Sequence, residues 1–320
     1  MLRAASLAAV AAISVAGPPV QQTARQAVAH GATKAAIVLV DHGRVYAGSQ
    51  PQIADPARLR FRIGSITKTF TATIVLQLVQ EKKVSLDGSL ATYLPWTGAK
   101  AKPIRIRDLL DHRSGIADYT TFPLWLAQAD KSASTRPRTV LKFALAQPRV
   151  FRPGHGWRYS NSNYVALGLV IEAVTKHTYA QELDRRILRP LHLGATTLPT
   201  TRQVQGLADP GTNPWVPWAA GALVSDASDL ARFYTALLGG KLFSKATLHE
   251  MEQTVAAGNG SDGLGIFAAH LSCGTAWGHD GGILDYYSRV IASADGKRVL
   301  VESARGALTG WPSATPLLCR

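Results

Sequence analysis

Two short apolar runs stand near the start of the chain, at residues 35–40 and 44–47, separated by Asp41, His42 and Gly43. Runs this short, bounded by turn residues, predict two strands joined by a tight turn. Residues 58–63 are expected to add a further extended segment. From 69 to 80 the chain is apolar nearly all round, with Phe70, Ile74, Val75, Leu76, Leu78 and Val79. That pattern predicts a helix buried on every side. A helical, loop-rich region follows from 86 to about 239, with helical periodicity at 106–110, 139–146, 165–174 and 228–238. The last of these should stop at Gly239-Gly240. Apolar runs of strand length return at 265–267, 275–278, 287–291 and 299–301. Strands at both ends of a helical middle predict an α+β fold in which one sheet is built from both termini. No internal repeat and no long low-complexity linker interrupts it.

The chain has 320 residues, enough to bury a large core in one two-part domain. Residues 1–16 read as a secretory signal, with Arg3 as the basic region, 4–13 as the apolar stretch and Ser14, Val15 and Ala16 as a cleavage site. The apolar stretch is too short for a transmembrane helix, and no second candidate of about 20 apolar residues follows. The protein, taken as residues 17–320, is therefore expected outside the membrane, secreted, and without a lipoprotein anchor because no cysteine lies near the cleavage site. Its only cysteines are Cys273 and Cys319. In an oxidising compartment such a pair is most simply a disulfide, the alternative being a buried free thiol at 273. A zinc site lacks ligands. The net charge of +14 would draw the surface towards an anionic cell wall, but the basic residues are scattered singly. No nucleic-acid-binding signature accompanies them, so nucleic acid is excluded as a partner.

Chemistry concentrates in three places. Ser65 and Lys68, in Gly64-Ser-Ile-Thr-Lys68, lie three residues apart at the start of the apolar helix. That spacing puts both side chains on one helical face, where an amine can reach a hydroxyl and activate it without a catalytic histidine. Burial would desolvate Lys68 and push its pKa down, making a neutral, basic amine plausible. Tyr159-Ser-Asn161 follows 94 residues after Ser65, at the junction of a Pro- and Gly-marked loop with an apolar helix. A phenol placed there, stabilised as phenolate by a nearby lysine, can take the serine proton and return it to a leaving group. Gly278-His-Asp-Gly-Gly282 closes the set after a strand-like run, and its glycines would let a ligand backbone approach. Aromatic residues gather at Tyr119, Phe122 and Trp125 and again at Trp215 and Trp218. Either group could wall a cleft or simply pack its own loop.

In this order and at these separations, the three motifs resemble those of the penicillin-recognising serine hydrolases: class C β-lactamases, secreted DD-carboxypeptidases, D-aminopeptidases and related esterases. The likeness covers roughly residues 34–305 and extends to Leu109-Leu-Asp-His-Arg-Ser-Gly-Ile116, Ala219-Ala-Gly-Ala-Leu-Val-Ser225 and Asp229-Leu-Ala-Arg-Phe233. It is strongest to secreted actinobacterial DD-carboxypeptidases, through Leu271-Ser-Cys-Gly274 and 292–298. The resemblance implies a mostly antiparallel sheet with flanking helices, a helical lobe, and the site in the cleft between them. It implies Ser65 as the acylated nucleophile, Lys68 and Tyr159 as the base–acid pair, and Asn161 as a ligand for the substrate amide. It places His279, Asp280 and Gly281 on the strand lining the site, with the backbone N–H groups of Ser65 and Gly282 as oxyanion hole. Donors of that kind typically contribute about 2.7–4 kcal/mol each. No cofactor is implied; the partner is a small peptide or β-lactam substrate, and the enzyme is expected to be a monomer.

One departure stands out. Carboxypeptidases of this kind hold a substrate carboxylate with hydroxyls around an H-T-G-T motif, where this chain has Asp280 and Gly282. A carboxylate 4 Å from a substrate carboxylate would be repelled by on the order of 4 kcal/mol at an effective dielectric near 20. The repulsion weakens if Asp280 pairs with His279 or turns outward. The expected activity is that of a secreted serine acyl hydrolase of the D-alanyl-D-alanine carboxypeptidase type. A D-aminopeptidase or esterase, a β-lactamase, or an acyl-transferring cyclase are the enzymatic alternatives, and a non-catalytic penicillin-binding module is the other class.

Overall fold

The computed structural model describes residues 18–207, 209–258 and 260–319. The expected signal, residues 1–16, lies outside them. The strands are β1 (Ala32–Asp41), β2 (Arg44–Gln50), β3 (Phe61–Arg62), β4 (Val224–Ser225) and β5 (Val255–Ala257). They continue with β6 (Gly260–Asp262), β7 (Phe267–Leu271), β8 (Gly274–Ile283), β9 (Tyr286–Ser293) and β10 (Arg298–Gly306). Eight of them form one sheet in the order β2-β1-β10-β9-β8-β7-β6-β5. Every pairing in it is antiparallel. β1 from the start of the chain pairs with β10 from its end, Val38 opposite Val301, so the sheet is indeed assembled from both termini.

Alternation assigns the two faces. Val38, Val290 and Val301 point to the large core shared with the helical region, while Ile37, Leu39, Ile291 and Leu300 point to a smaller outer core. That outer core is covered by α1 (Pro18–Ala29), through Val20 and Ala24, and by the C-terminal residues Ala314, Leu317 and Leu318. Cys273, in the turn before β8, is bonded to Cys319 with Cα atoms 5.4 Å apart, so the free-thiol alternative at 273 is excluded. The bond ties the chain end onto the strand that carries His279.

α2 (Thr67–Gln80) runs through the middle of the large core. Phe70 stacks on Phe233 at 3.8 Å, but the helix also buries four threonines completely. Their hydroxyls are satisfied, Thr73 within the helix at Thr69 O (2.8 Å) and the other three as ties to other segments. Thr69 donates to Gly265 O (2.9 Å), Thr71 to Ala219 O (2.7 Å), and Thr67 accepts from Leu223 N (3.2 Å). A buried hydroxyl is costly only when it is unpaired, so these residues fix the helix against separate segments of the lobe.

Two sequence expectations shift. Residues 58–63 do not join the large sheet: Pro56–Arg58 is a 3₁₀ turn, and β3 pairs with β4 in a separate two-stranded sheet. The strand expected from 265 begins only at Phe267, because Gly265 turns through a positive φ of 81°.

Candidate active site

A 3₁₀ turn, Gly64–Ile66, leads into α2 and presents Ser65, half-buried, one turn before the fully buried Lys68. β8 lies directly against this turn. A side chain on Gly281 would meet Ile63 O at 2.1 Å, and one on Gly64, whose φ is +50°, would meet Gly282 N at 2.7 Å. Two positions without Cβ thus allow strand and turn to touch. Ser288 Oγ adds a hydrogen bond to Ile63 O at 3.0 Å. Gly282 itself faces open space, and β8 has no β7 partner beyond Gly278.

Lys68 Nζ makes three hydrogen bonds: 2.9 Å to Ser65 Oγ, 2.8 Å to Asn161 Oδ1 and 2.7 Å to Ala220 O. Burial lowers its pKa to about 7, partly offset by the carboxylates of Asp118 and Asp262. The carbonyls of Ala220 and Asn161 can only accept. They engage two amine hydrogens and leave the third direction, along Ser65 Oγ, for a lone pair. Tyr159 is half-buried, its hydroxyl close to Ser65 and its ring 4.9 Å from Lys68 Nζ. Burial raises its pKa well above the ordinary phenol value, so Tyr159 is a protonated phenol, not a phenolate.

Asn161 is committed at both ends of its amide, since Nδ2 donates to Asp118 at 3.1 Å. Asp118, half-buried, therefore sits one hydrogen bond from the Lys68 network. His279 is buried and stacked on Phe267 at 4.5 Å, with Nδ1 donating to Asp280 O at 2.5 Å. Burial and nearby Lys68 push its pKa down to about 3, so the ring is neutral. Asp280 is exposed and aligned with Arg289 and Glu302 across β9 and β10. It shares the face of Ala276 and Ile291, opposite to His279, and so turns away from the face that carries the Ser65 cluster.

The aromatic residues pack against neighbouring elements of the lobe. Tyr119 is buried with its hydroxyl on Val216 O (2.9 Å), Trp125 stacks on Phe143 at 4.1 Å, and Trp218 is buried. Two participants carried no functional reading in the sequence: the Ala220 carbonyl, which no side-chain motif can reveal, and Asp118, which stands outside the three motifs. Among the described residues no His/Cys/Asp/Glu group could hold a metal, and no helix is long and apolar enough to cross a membrane.

An antiparallel sheet against a helical lobe, with Ser-x-x-Lys at a helix start, Tyr-x-Asn at a loop-to-helix junction and His-x-Gly on a strand, defines a serine hydrolase of the β-lactamase and penicillin-binding superfamily. The family model described as Beta-lactamase matches residues 20–303, and the chain belongs to that family. Among solved structures it is similar to a D-stereospecific amidohydrolase from Streptomyces sp., at 35% identity and TM-score 0.83, covering 89% of this chain and 93% of that one. It is also similar to the D-amino acid amidase of Ochrobactrum anthropi SV3, at 25% identity and TM-score 0.78, covering 92% of each. The putative penicillin-binding protein PbpX of Bacillus subtilis is 25% identical over 245 residues, 72% of this chain and 59% of that protein. Protein flp of Staphylococcus aureus is 28% identical over 179 residues, 52% of this chain, and the match spans about a third (35%) of its length.

Proposed function

We propose that the protein hydrolyses amides or peptides of D-amino acids that carry a free α-amino group. The observation that carries this reading is the Asp118 carboxylate, held 3.1 Å from Asn161 Nδ2, while Asn161 Oδ1 holds Lys68. The side chain expected to bind a substrate amide already has both polar ends in use, and what it holds next to the Lys68 network is a carboxylate. An ammonium group is the complement of that carboxylate. The likeness to a D-stereospecific amidohydrolase and a D-amino acid amidase supports the same substrate class.

The chemistry follows from the proton positions. Neutral Lys68 takes the Ser65 proton as Oγ attacks the acyl carbon. The developing oxyanion lies between the N–H groups of Ser65 and Gly282, where β8 meets the turn. Tyr159, protonated and close to Ser65, gives its proton to the departing amine, and Lys68 ammonium reprotonates the phenolate. Water then attacks the acyl-enzyme by the same relay in reverse. The Cys273–Cys319 bond supports an oxidising compartment, so the proposal includes secretion.

Purified protein should be assayed with D-phenylalanine amide, its N-acetyl derivative, and an acyl-D-Ala-D-Ala peptide. The free amine is expected to be hydrolysed at least about 10-fold faster than the acetylated amide, as expected for losing one hydrogen bond to a charged group. Release of D-alanine from the acyl peptide with the free amide untouched would overturn the reading in favour of a carboxypeptidase.

A further inference from the structure

Behind Tyr159 lies a buried imidazole that the mechanism above does not use. His112 is 1% exposed and stands at φ +61°, in the left-handed region that few non-glycine residues occupy. Its ring lies 4.3 Å from the Tyr159 ring, and the rings of Tyr164 and Trp157 flank it at 5.4 and 6.3 Å. Its Nδ1 receives two hydrogen bonds, from Ser160 N at 3.2 Å and from Asn163 Nδ2 at 3.1 Å. The other end of the Asn163 amide is engaged as well, Ser114 Oγ donating to Asn163 Oδ1 at 2.5 Å. A backbone N–H can only donate, so Nδ1 carries no proton. The main chain of the same residue is engaged too, Arg158 N donating to His112 O at 3.1 Å. His112 therefore grips the chain on both sides of Tyr159, at residues 158 and 160, and supports the phenol ring from behind.

The geometry points to His112 as a positioning residue, whose unprotonated Nδ1 and ring plane hold the Tyr159 hydroxyl against Ser65. It rests on the assignment of Tyr159 as the proton carrier. Burial, with the positive charge of Lys68 nearby, holds the imidazole well below its usual pKa and so preserves the acceptor. The role requires an acceptor at the Nδ1 position and a side chain that tolerates positive φ. Asparagine meets both demands, while phenylalanine keeps the ring and loses the acceptor.

The test compares His112→Phe, His112→Asn, Tyr159→Phe and the double variant His112→Phe/Tyr159→Phe, reading kcat and KM for the amide and the rate of Ser65 labelling by a fluorophosphonate. H112F is expected to lose on the order of 100-fold in kcat with KM little changed, the scale of a misplaced catalytic group. H112N should recover to within about fivefold of the parent, and H112F should cost little more in the Y159F background, where nothing is left to position. Unchanged turnover in H112F, equal losses in folded H112F and H112N, or additive losses in the double variant would each overturn the role. If Y159F itself keeps full turnover, the relay falls and the role of His112 with it, a result distinct from failure of H112F alone. Nitrogen-15 NMR of the unaltered protein gives a second measurement that needs no variant to fold. Nδ1 should read as unprotonated across about pH 5 to 8, and a protonated Nδ1 overturns the inference.

Discussion

The carbonyl oxygen of Ala220 lies 2.7 Å from Lys68 Nζ, in the core of the lobe. With Asn161 Oδ1 it accounts for two of the amine's hydrogens, so the group that faces Ser65 is set by a backbone atom. Because burial lowers the folded pKa to about 7, the base form accumulates above that value. The acylation rate should therefore rise with pH through about 7 and level off above it, measured as kcat/KM or fluorophosphonate labelling. Lys68→Ala should cost about 10²–10⁴-fold, the usual worth of general-base catalysis. Lys68→Arg should not rescue it, since a guanidinium stays charged. A flat profile between pH 6 and about 9 would remove Lys68 as the base.

Asp118 separates two modes of recognition. If its carboxylate meets the substrate ammonium, Asp118→Asn should cost about 1.5–3 kcal/mol, or roughly 10- to 150-fold in kcat/KM, for free D-amino amides. The N-acetylated amide has no ammonium, so its turnover should hardly change. Equal losses on both substrates would show that Asp118 only orients Asn161.

Asp280 is the residue whose meaning the structure changes most. Read along the sequence, it stands where a hydroxyl is expected and argues for repulsion of a substrate carboxylate. In the sheet it alternates with His279 and joins Arg289 and Glu302 on the other face. Asp280→Thr should therefore shift the ratio of acyl-D-Ala-D-Ala to amide turnover by less than about threefold, a difference under 1 kcal/mol. A larger gain for the carboxylate substrate would restore the repulsion.

What the sequence reveals, and what it hides, follows from how local each signal is. The Ser65–Lys68 spacing, the apolar run of α2 and the paired runs that become β1, β2, β9 and β10 are local patterns, and they appear as expected. α1 leaves no clear pattern because its polar, glutamine-rich stretch buries mainly small residues, Val20, Ala24 and Ala27. β5 and β6 are three residues each, too short for a periodic signal, and exist as extensions of β7. The Asn161–Asp118 contact joins residues 43 apart, and the grip of His112 on Ser160 joins residues 48 apart. Neither leaves a trace in composition or spacing.

The disulfide offers a stability prediction independent of activity. Cys273 and Cys319 enclose a loop with a sequence separation of 46, so in the chain-entropy account the bond contributes about 4 kcal/mol. Replacing both by alanine should lower the urea midpoint without changing the substrate preference. Intact mass should rise by two hydrogens on reduction, and no shift would mean that the bond does not form in solution.

Asp111 carries the last prediction, one of pH and stability. It is 3% exposed, and burial together with the nearby Asp108 carboxylate raises its pKa to about 7, with Arg113 pulling the other way. A carboxyl group whose folded pKa exceeds its unfolded value of 3.8 binds more protons in the folded state between those two values. Its contribution to stability is therefore greatest below pH 3.8 and is lost as pH rises to about 7, the opposite of a paired surface carboxylate. Asp111→Asn keeps an oxygen for the Arg113 N–H, 3.2 Å away, and carries no charge. The variant should match the parent near pH 4 and exceed it near pH 8, read as the difference in urea midpoint across about pH 4 to 8. A difference independent of pH would show that Asp111 is ionised in the folded protein throughout.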